Sequence, residues 1–147
     1  MKLIRYGEFG SEKPGAIDAN GEIRDLSNII SDIDSAFLDR GGLEELDDLD
    51  LNTLPKVPGN PRLGMPVTGI PKLICIGLNY SDHAKESNMP IPTEPVVFMK
   101  AISALNGPND DVILPNKSVK GDWEVELAVV ISKTATVSYT HLRAHET

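Results

Sequence analysis

The spacing of apolar residues changes along this chain, and each change marks an element. Near the start the short runs KLIRY, AI and EIRDL are set apart by GSEKPG and by Asp-Ala-Asn-Gly, and runs of that length between turn formers predict strands. Asn20-Gly21 is the strongest turn signal among them. In SDIDSAFLDRGGLEELDDLDL the period becomes helical: Ile33, Phe37 and Leu38 share a face before the Gly41-Gly42 break, and Leu43, Leu46 and Leu49 repeat at threes. Residues 1–54 thus read as a small N-terminal β module with short amphipathic helices. PKVPGNPRLGMPVTGIP, residues 55–71, is too rich in Pro and Gly to propagate a helix and reads as a linker. Beyond it KLICIG, PVVFMKAISALNGP, DVILP and GDWEVELAVVI are strand-like, so residues 72–135 read as the start of a second domain. The expected class is α+β and β-rich.

Composition narrows the function. A chain of 147 residues is long enough for one domain that buries roughly 68–70% of its unfolded surface. The net charge of −8 repels phosphate backbones, which excludes nucleic acid as a partner. The start MKLIRYGEFG lacks an apolar leader core, and no run approaches the ~18 apolar residues of a membrane span, so a cytoplasmic protein without a membrane partner is expected. The single cysteine, Cys75, lies inside LICIG and reads as a buried, inert thiol. Glu44, Glu45, Asp47, Asp48 and Asp50 lack the alternation and central Gly of a calcium loop and read as a solvated face. GSEKPGA lacks the Gly-Lys-Ser/Thr ending of a phosphate loop.

Three stretches carry candidate chemistry. If GDWEVELAVVI is a strand, Glu124, Glu126, Ala128 and Val130 share one face, with the two carboxylates roughly 6.5–7 Å apart. Buried together, they require a proton, a basic side chain or a divalent cation; on an edge strand they would face water instead. Oxygen ligands alone favour Mg²⁺, Mn²⁺ or Ca²⁺ over zinc. In GLNYSDHAKES, Gly77 ends a strand, Ser81 or Asp82 is placed to cap a helix, and His83 and Glu86 fall three apart on one helical face. A carboxylate beside an imidazole orients it and raises its basicity, as a general base requires; a surface pair with a structural role is the alternative. Lys100 ends an apolar strand, either reaching solvent or offering a positive charge to an anionic substrate.

In order, GLNYSDHAKES, VVFMKAISALNGPNDDVILP (with Phe98, Lys100, Ser103, Gly107 and Pro108) and DWEVELAVVI resemble the three motifs of the fumarylacetoacetate hydrolase family. The likeness runs from Met1 to about Ala135, because the opening module is similar to the small N-terminal domain of bacterial members. It implies a mixed β-sandwich or roll, a homodimer when full length, and a divalent cation, Mg²⁺ or else Mn²⁺ or Ca²⁺, held by three carboxylates. By matching positions Glu124 and Glu126 would be two of those ligands, His83 with Glu86 would activate water, and Lys100, Asn79 and Tyr80 would contact substrate. The implied activity is hydrolysis of a C–C bond in a β-diketo acid, fumarylacetoacetate-like, acylpyruvate-like or a diketo sugar acid, with the enolate stabilised by the metal. Isomerisation or decarboxylation of 2-oxo acids on the same fold is the alternative.

The family's third metal ligand is a downstream aspartate that this chain does not reach. VSYTHLRAHET does not match the family motifs, so residues 136–147 are expected to form a disordered tail, and the chain is expected to be truncated or chimeric. An inactive fragment is therefore a further alternative. His141, His145 and Glu146 have a helical ligand spacing but lack the further ligand and rigid platform of a zinc site.

Overall fold

Turn chemistry decides the first sheet. In the computed structural model, which describes residues 1–134, β1 (Lys2–Tyr6), β2 (Lys13–Ile17) and β3 (Ile23–Asp25) pair antiparallel in the order β1-β2-β3. Leu3 lies opposite Ala16, and Gly15 opposite Asp25. The expected Asp-Ala-Asn-Gly turn joins β2 to β3, with Gly21 at φ +82°, a conformation that glycine adopts without strain. Asp18 organises this turn: its carboxylate accepts from the backbone N–H groups of Asn20 (2.8 Å) and Glu22 (3.0 Å) and from Nε of Arg24 (2.8 Å).

The predicted helical face packs on this sheet. Asp34 caps α1 (Ser35–Asp39) by accepting the Phe37 N–H at 2.8 Å, and α2 (Gly42–Glu45) follows. Ala16, Leu26, Ile30, Ile33, Phe37, Leu38 and Leu46 form the buried core, with Leu3, Leu49, Leu51, Leu54 and Val67 packed around it. The paired glycines do more than interrupt the helix. Gly41, at φ +83°, starts α2, and a side chain on Gly42 would collide with the Phe37 ring.

The Pro/Gly-rich stretch behaves differently from a linker. As far as Thr68 it is laid along both outer strands of the sheet: Lys56 bridges to Arg24 beside β3, and Leu63 bridges to Tyr6 on β1. Asp25 donates to the Pro55 carbonyl, Val57 to Ile23, Gly7 to Arg62, Gly64 to Arg5 and Thr68 to Ile33, all at 2.8–2.9 Å. Prolines cannot donate into a ladder, so this stretch makes isolated bridges instead of a strand, yet it still covers two open edges.

Residues 69–106 form a separate unit, while residues 107–134 belong with 1–68, a division that differs from the expected 1–54, 55–71 and 72–135. In the separate unit β4 (Leu73–Gly77) pairs antiparallel with β5 (Val96–Lys100), with Cys75 opposite Phe98, and α3 (Ser81–Glu86) lies between them in sequence. Cys75 and Ala84 are buried, as expected for the thiol, but Ile74, Ile76 and all of β5 are exposed. A two-stranded ribbon has too few layers to enclose its side chains.

GDWEVELAVVI departs furthest from its pattern. Residues 121–131 have no regular secondary structure, and Trp123, Val125 and Leu127 are 86%, 82% and 89% exposed. Neither sheet extends to this segment, and strand character is a property of pairing as much as of composition. DVILP likewise forms no strand. The described chain is thus α+β and strand-rich, with few short helices. Among the described residues no helix is long and apolar enough to cross a membrane. The expectations for residues 136–147 lie outside the described residues.

Two outcomes follow for the first unit. Phe37→Ala, at a side chain only 2% exposed, is expected to destabilise it by about 3–5 kcal/mol in chemical denaturation. Asp18 has its carboxyl held below the ordinary aspartate value of 3.8, first by the Glu22 N–H and further by Arg24 and the Asn20 N–H. Its contribution to stability is complete above that ordinary value and is lost as pH falls through the lowered one. Asp18→Asn should therefore flatten the acid limb of a melting-temperature profile while lowering the plateau at neutral pH.

Candidate functional site

The His-containing motif begins where β4 ends. Leu78 adopts φ +49°, the left-handed region that non-glycine residues seldom occupy, and turns the chain from Gly77 into α3 within a few residues. Tyr80 is the capping residue of α3, with no side-chain cap bond, so the expected cap at Ser81 or Asp82 is corrected: both lie inside the helix. Asp82 in the first turn still suits the positive end of the helix.

The helix brings His83 and Glu86 together, with Nδ1 2.7 Å from Oε1. An ionised carboxylate only accepts, so in the neutral ring the proton sits on Nδ1 and Nε2 carries the lone pair. The imidazole is 44% exposed and the carboxylate 72%, so water reaches both groups. This arrangement can take a proton at Nε2 and stabilise the resulting imidazolium through Glu86.

Asn79 and Tyr80 lie exposed in the same turn. Lys100 ends β5 opposite Leu73, whereas Gly77 lies opposite Val96. The register therefore sets Lys100 at the far end of the ribbon from the start of the His motif, roughly 13 Å away along the strand. Its Nζ lies 6.0 Å from the centroid of the Phe98 ring.

Glu124 and Glu126 belong to the first unit, in the exposed segment that joins neither sheet. The face-sharing geometry expected of a strand is thus replaced by two carboxylates two residues apart on exposed chain. Among the described residues no group of three His, Cys, Asp or Glu side chains is placed to hold a metal ion. Two carboxylates are the right donors for a hard cation and supply part of its shell.

Arg62 escaped the sequence reading because it sits inside the Pro/Gly-rich stretch. Its guanidinium grips Asp110 through Nε (2.8 Å) and Nη2 (2.5 Å), while Nη1 donates to Glu12 (2.8 Å) and to the Gly7 carbonyl (3.2 Å). It also stands 5.3 Å from the centroid of the Phe9 ring. The Arg62 hydrogen bonds hold the carboxyls of Asp110 and Glu12 below the usual range, and these partners raise the guanidinium above its own. A lone arginine between a proline and a glycine-containing turn was the only signal available.

Comparison with known proteins places these features. A family profile described as "Fumarylacetoacetate (FAA) hydrolase C-terminal" matches residues 72–146, past the point near Ala135 where the motif likeness ends. The chain is 56% identical over 136 residues to a 2,4-didehydro-3-deoxy-L-rhamnonate hydrolase from Sphingomonas sp. (strain SKA58), covering 91% of this chain and 45% of that protein. Among solved structures, a fumarylacetoacetate hydrolase from psychrophilic Exiguobacterium antarcticum matches with a TM-score of 0.51 at 29% identity, covering 69% of this chain and 35% of that one. A structure from Mycobacterium smegmatis matches with a TM-score of 0.58 at 24% identity, covering 79% and 41%, and supports the fold alone. The chain spans about half the length of the curated relatives it matches. With its His motif, its strand-rich fold and these relatives, the chain belongs to the fumarylacetoacetate hydrolase family.

Proposed function

We propose that the whole protein is a metal-dependent hydrolase that cleaves a C–C bond in a β-diketo acid, with a diketo sugar acid as the substrate class. The observation that carries this reading is the 2.7 Å contact between His83 Nδ1 and Glu86 Oε1, which in the neutral ring places the lone pair on Nε2, the atom that would take a proton from water. The Sphingomonas relative supports the substrate class, since its name denotes a 3-deoxy sugar acid with oxo groups at C2 and C4. The same name favours hydrolysis over isomerisation or decarboxylation.

In this reading His83 removes a proton from water as the oxygen attacks the carbonyl farther from the carboxylate, and Glu86 stabilises the imidazolium. The bond between that carbonyl carbon and the central carbon breaks, and its electron pair stays on the central carbon. The imidazolium then returns the proton there, giving one new carboxylic acid and one 2-oxo acid. Lys100 pairs with the substrate carboxylate, and Asn79 and Tyr80 contact the substrate. Glu124 and Glu126 would hold a divalent cation, Mg²⁺ in the first instance, which when bound supplies Lewis-acid polarisation of the substrate oxygens.

Incubation of the protein with 2,4-dioxo sugar acids and Mg²⁺ or Mn²⁺ should yield two carbon fragments. His83→Ala should lower kcat by about 10²- to 10⁴-fold, and Glu124→Gln with Glu126→Gln should weaken Mn²⁺ binding. Released CO₂, or an isomer without fragments, would replace hydrolysis with the alternative chemistry. The pair itself is checked by ¹⁵N NMR of the imidazole: the wild-type ring should show a protonated Nδ1 and a lone pair on Nε2, and Glu86→Gln should shift the ring toward a mixture of the two tautomers.

A further inference from the structure

Residues 69–106 are an excursion from the first unit, and the segments on either side of it are tied to each other within that unit. Before the chain leaves, the Arg62 carbonyl accepts from Gly7, the Gly64 N–H donates to Arg5 and the Thr68 N–H donates to Ile33. On its return, Asp110 Oδ2 accepts the Gly107 N–H at 3.0 Å, and both Asp110 oxygens accept from Arg62. Arg62 and Asp110 are 48 residues apart in sequence, and the excursion lies between them. The departing and returning segments also touch through backbone. A side chain on Gly107 would run into the Leu63 carbonyl oxygen and the Asp110 carboxylate, so glycine is required there.

We propose that Arg62 is a positioning residue: by gripping Glu12 and Asp110 together, it clamps the two ends of the excursion that carries His83, Glu86 and Lys100. This rests on the function proposed above. The chain that continues from Asp110 leads to Glu124 and Glu126, so the clamp stands in sequence between the two sets of candidate groups. Holding both ends of a long loop removes conformational freedom from what it carries, and catalysis is sensitive to misplacement of a reacting group by about 1 Å. Arginine suits the task because one planar fork takes both Asp110 oxygens while its third nitrogen reaches Glu12. Lysine offers a single point of charge and cannot hold both partners in this geometry. Glu12 is only 9% exposed and has Arg5 as a further partner at 3.8 Å, so the clamp is anchored in the β1–β2 connection.

The test combines amide hydrogen exchange with kinetics on the intact protein. Arg62→Lys and Asp110→Asn are both expected to speed exchange at Gly107 by about tenfold or more and to lower kcat by about tenfold, with a smaller change in KM. Arg62→Lys should retain more activity than Arg62→Met, and the double variant Arg62→Lys/Asp110→Asn should be little worse than either single change. Asp110→Asn, nearly isosteric, serves where an Arg62 variant fails to fold. Unchanged exchange at Gly107 overturns the clamp. Faster exchange and a lower melting temperature, with kcat and KM per folded molecule unchanged, leave Arg62 a structural role only and overturn positioning. If the wild type cleaves no dioxo acid in the presence of metal, the functional reading fails and the positioning role fails with it, while the exchange data still report the clamp separately.

Discussion

A charged side chain withdrawn from water must be paired, and that requirement organises the first unit. Arg5 on β1 is 8% exposed, a position that an unpaired guanidinium would not tolerate. Its fork closes on both oxygens of Asp32, at 2.7 and 3.0 Å, and its remaining nitrogen faces Glu12 at 3.8 Å. Glu12 in turn binds Arg62, and Arg62 binds Asp110. One ladder of alternating charges thus runs from the loop before α1, through the first sheet, to the chain that returns after β5. Removing any member takes a charge partner from a partly buried neighbour, which is why such ladders specify an arrangement more strongly than they add to net stability.

The two sheets show what pairing does for apolar runs. In the first unit Ala16, Leu26, Ile33 and Phe37 find opposing elements and are buried. In the second, Val96 to Lys100 pair along one edge only and stay exposed. The difference does not lie in composition, since VVFMK is at least as apolar as KPGAI. It lies in whether a helix or a further strand covers the face, and in the first unit α1, α2 and the residues flanking them supply that cover.

Candidate chemistry divides along a similar line. His83 and Glu86 meet because three residues on a helix suffice, and the contact was legible from their spacing. Glu124 and Glu126 were expected to share a strand face, a relation that exists only when a strand forms. Arg62 was not legible as an organising residue, because its partners Glu12 and Asp110 lie 50 and 48 positions away. The linker reading of residues 55–71 missed its edge contacts for the same reason: proline content forbids a continuous strand but does not forbid single bridges to one.

By itself the sequence determined what depends on neighbours within a few residues: the Asn20-Gly21 turn, the helical face at Ile33, Phe37 and Leu38, and the His83–Glu86 pair. Its ordered motifs also pointed to the family. Tertiary structure decided what depends on distant partners: that the proline-rich stretch covers both sheet edges, that Arg62 joins Glu12 to Asp110, that Lys100 lies at the opposite end of the ribbon from Gly77, and that GDWEVELAVVI remains outside both sheets. Turns and helix pairs close within a few residues and carry their own hydrogen bonds. Sheet faces and ion-pair ladders are completed by groups tens of residues away, and only the folded chain brings those groups together.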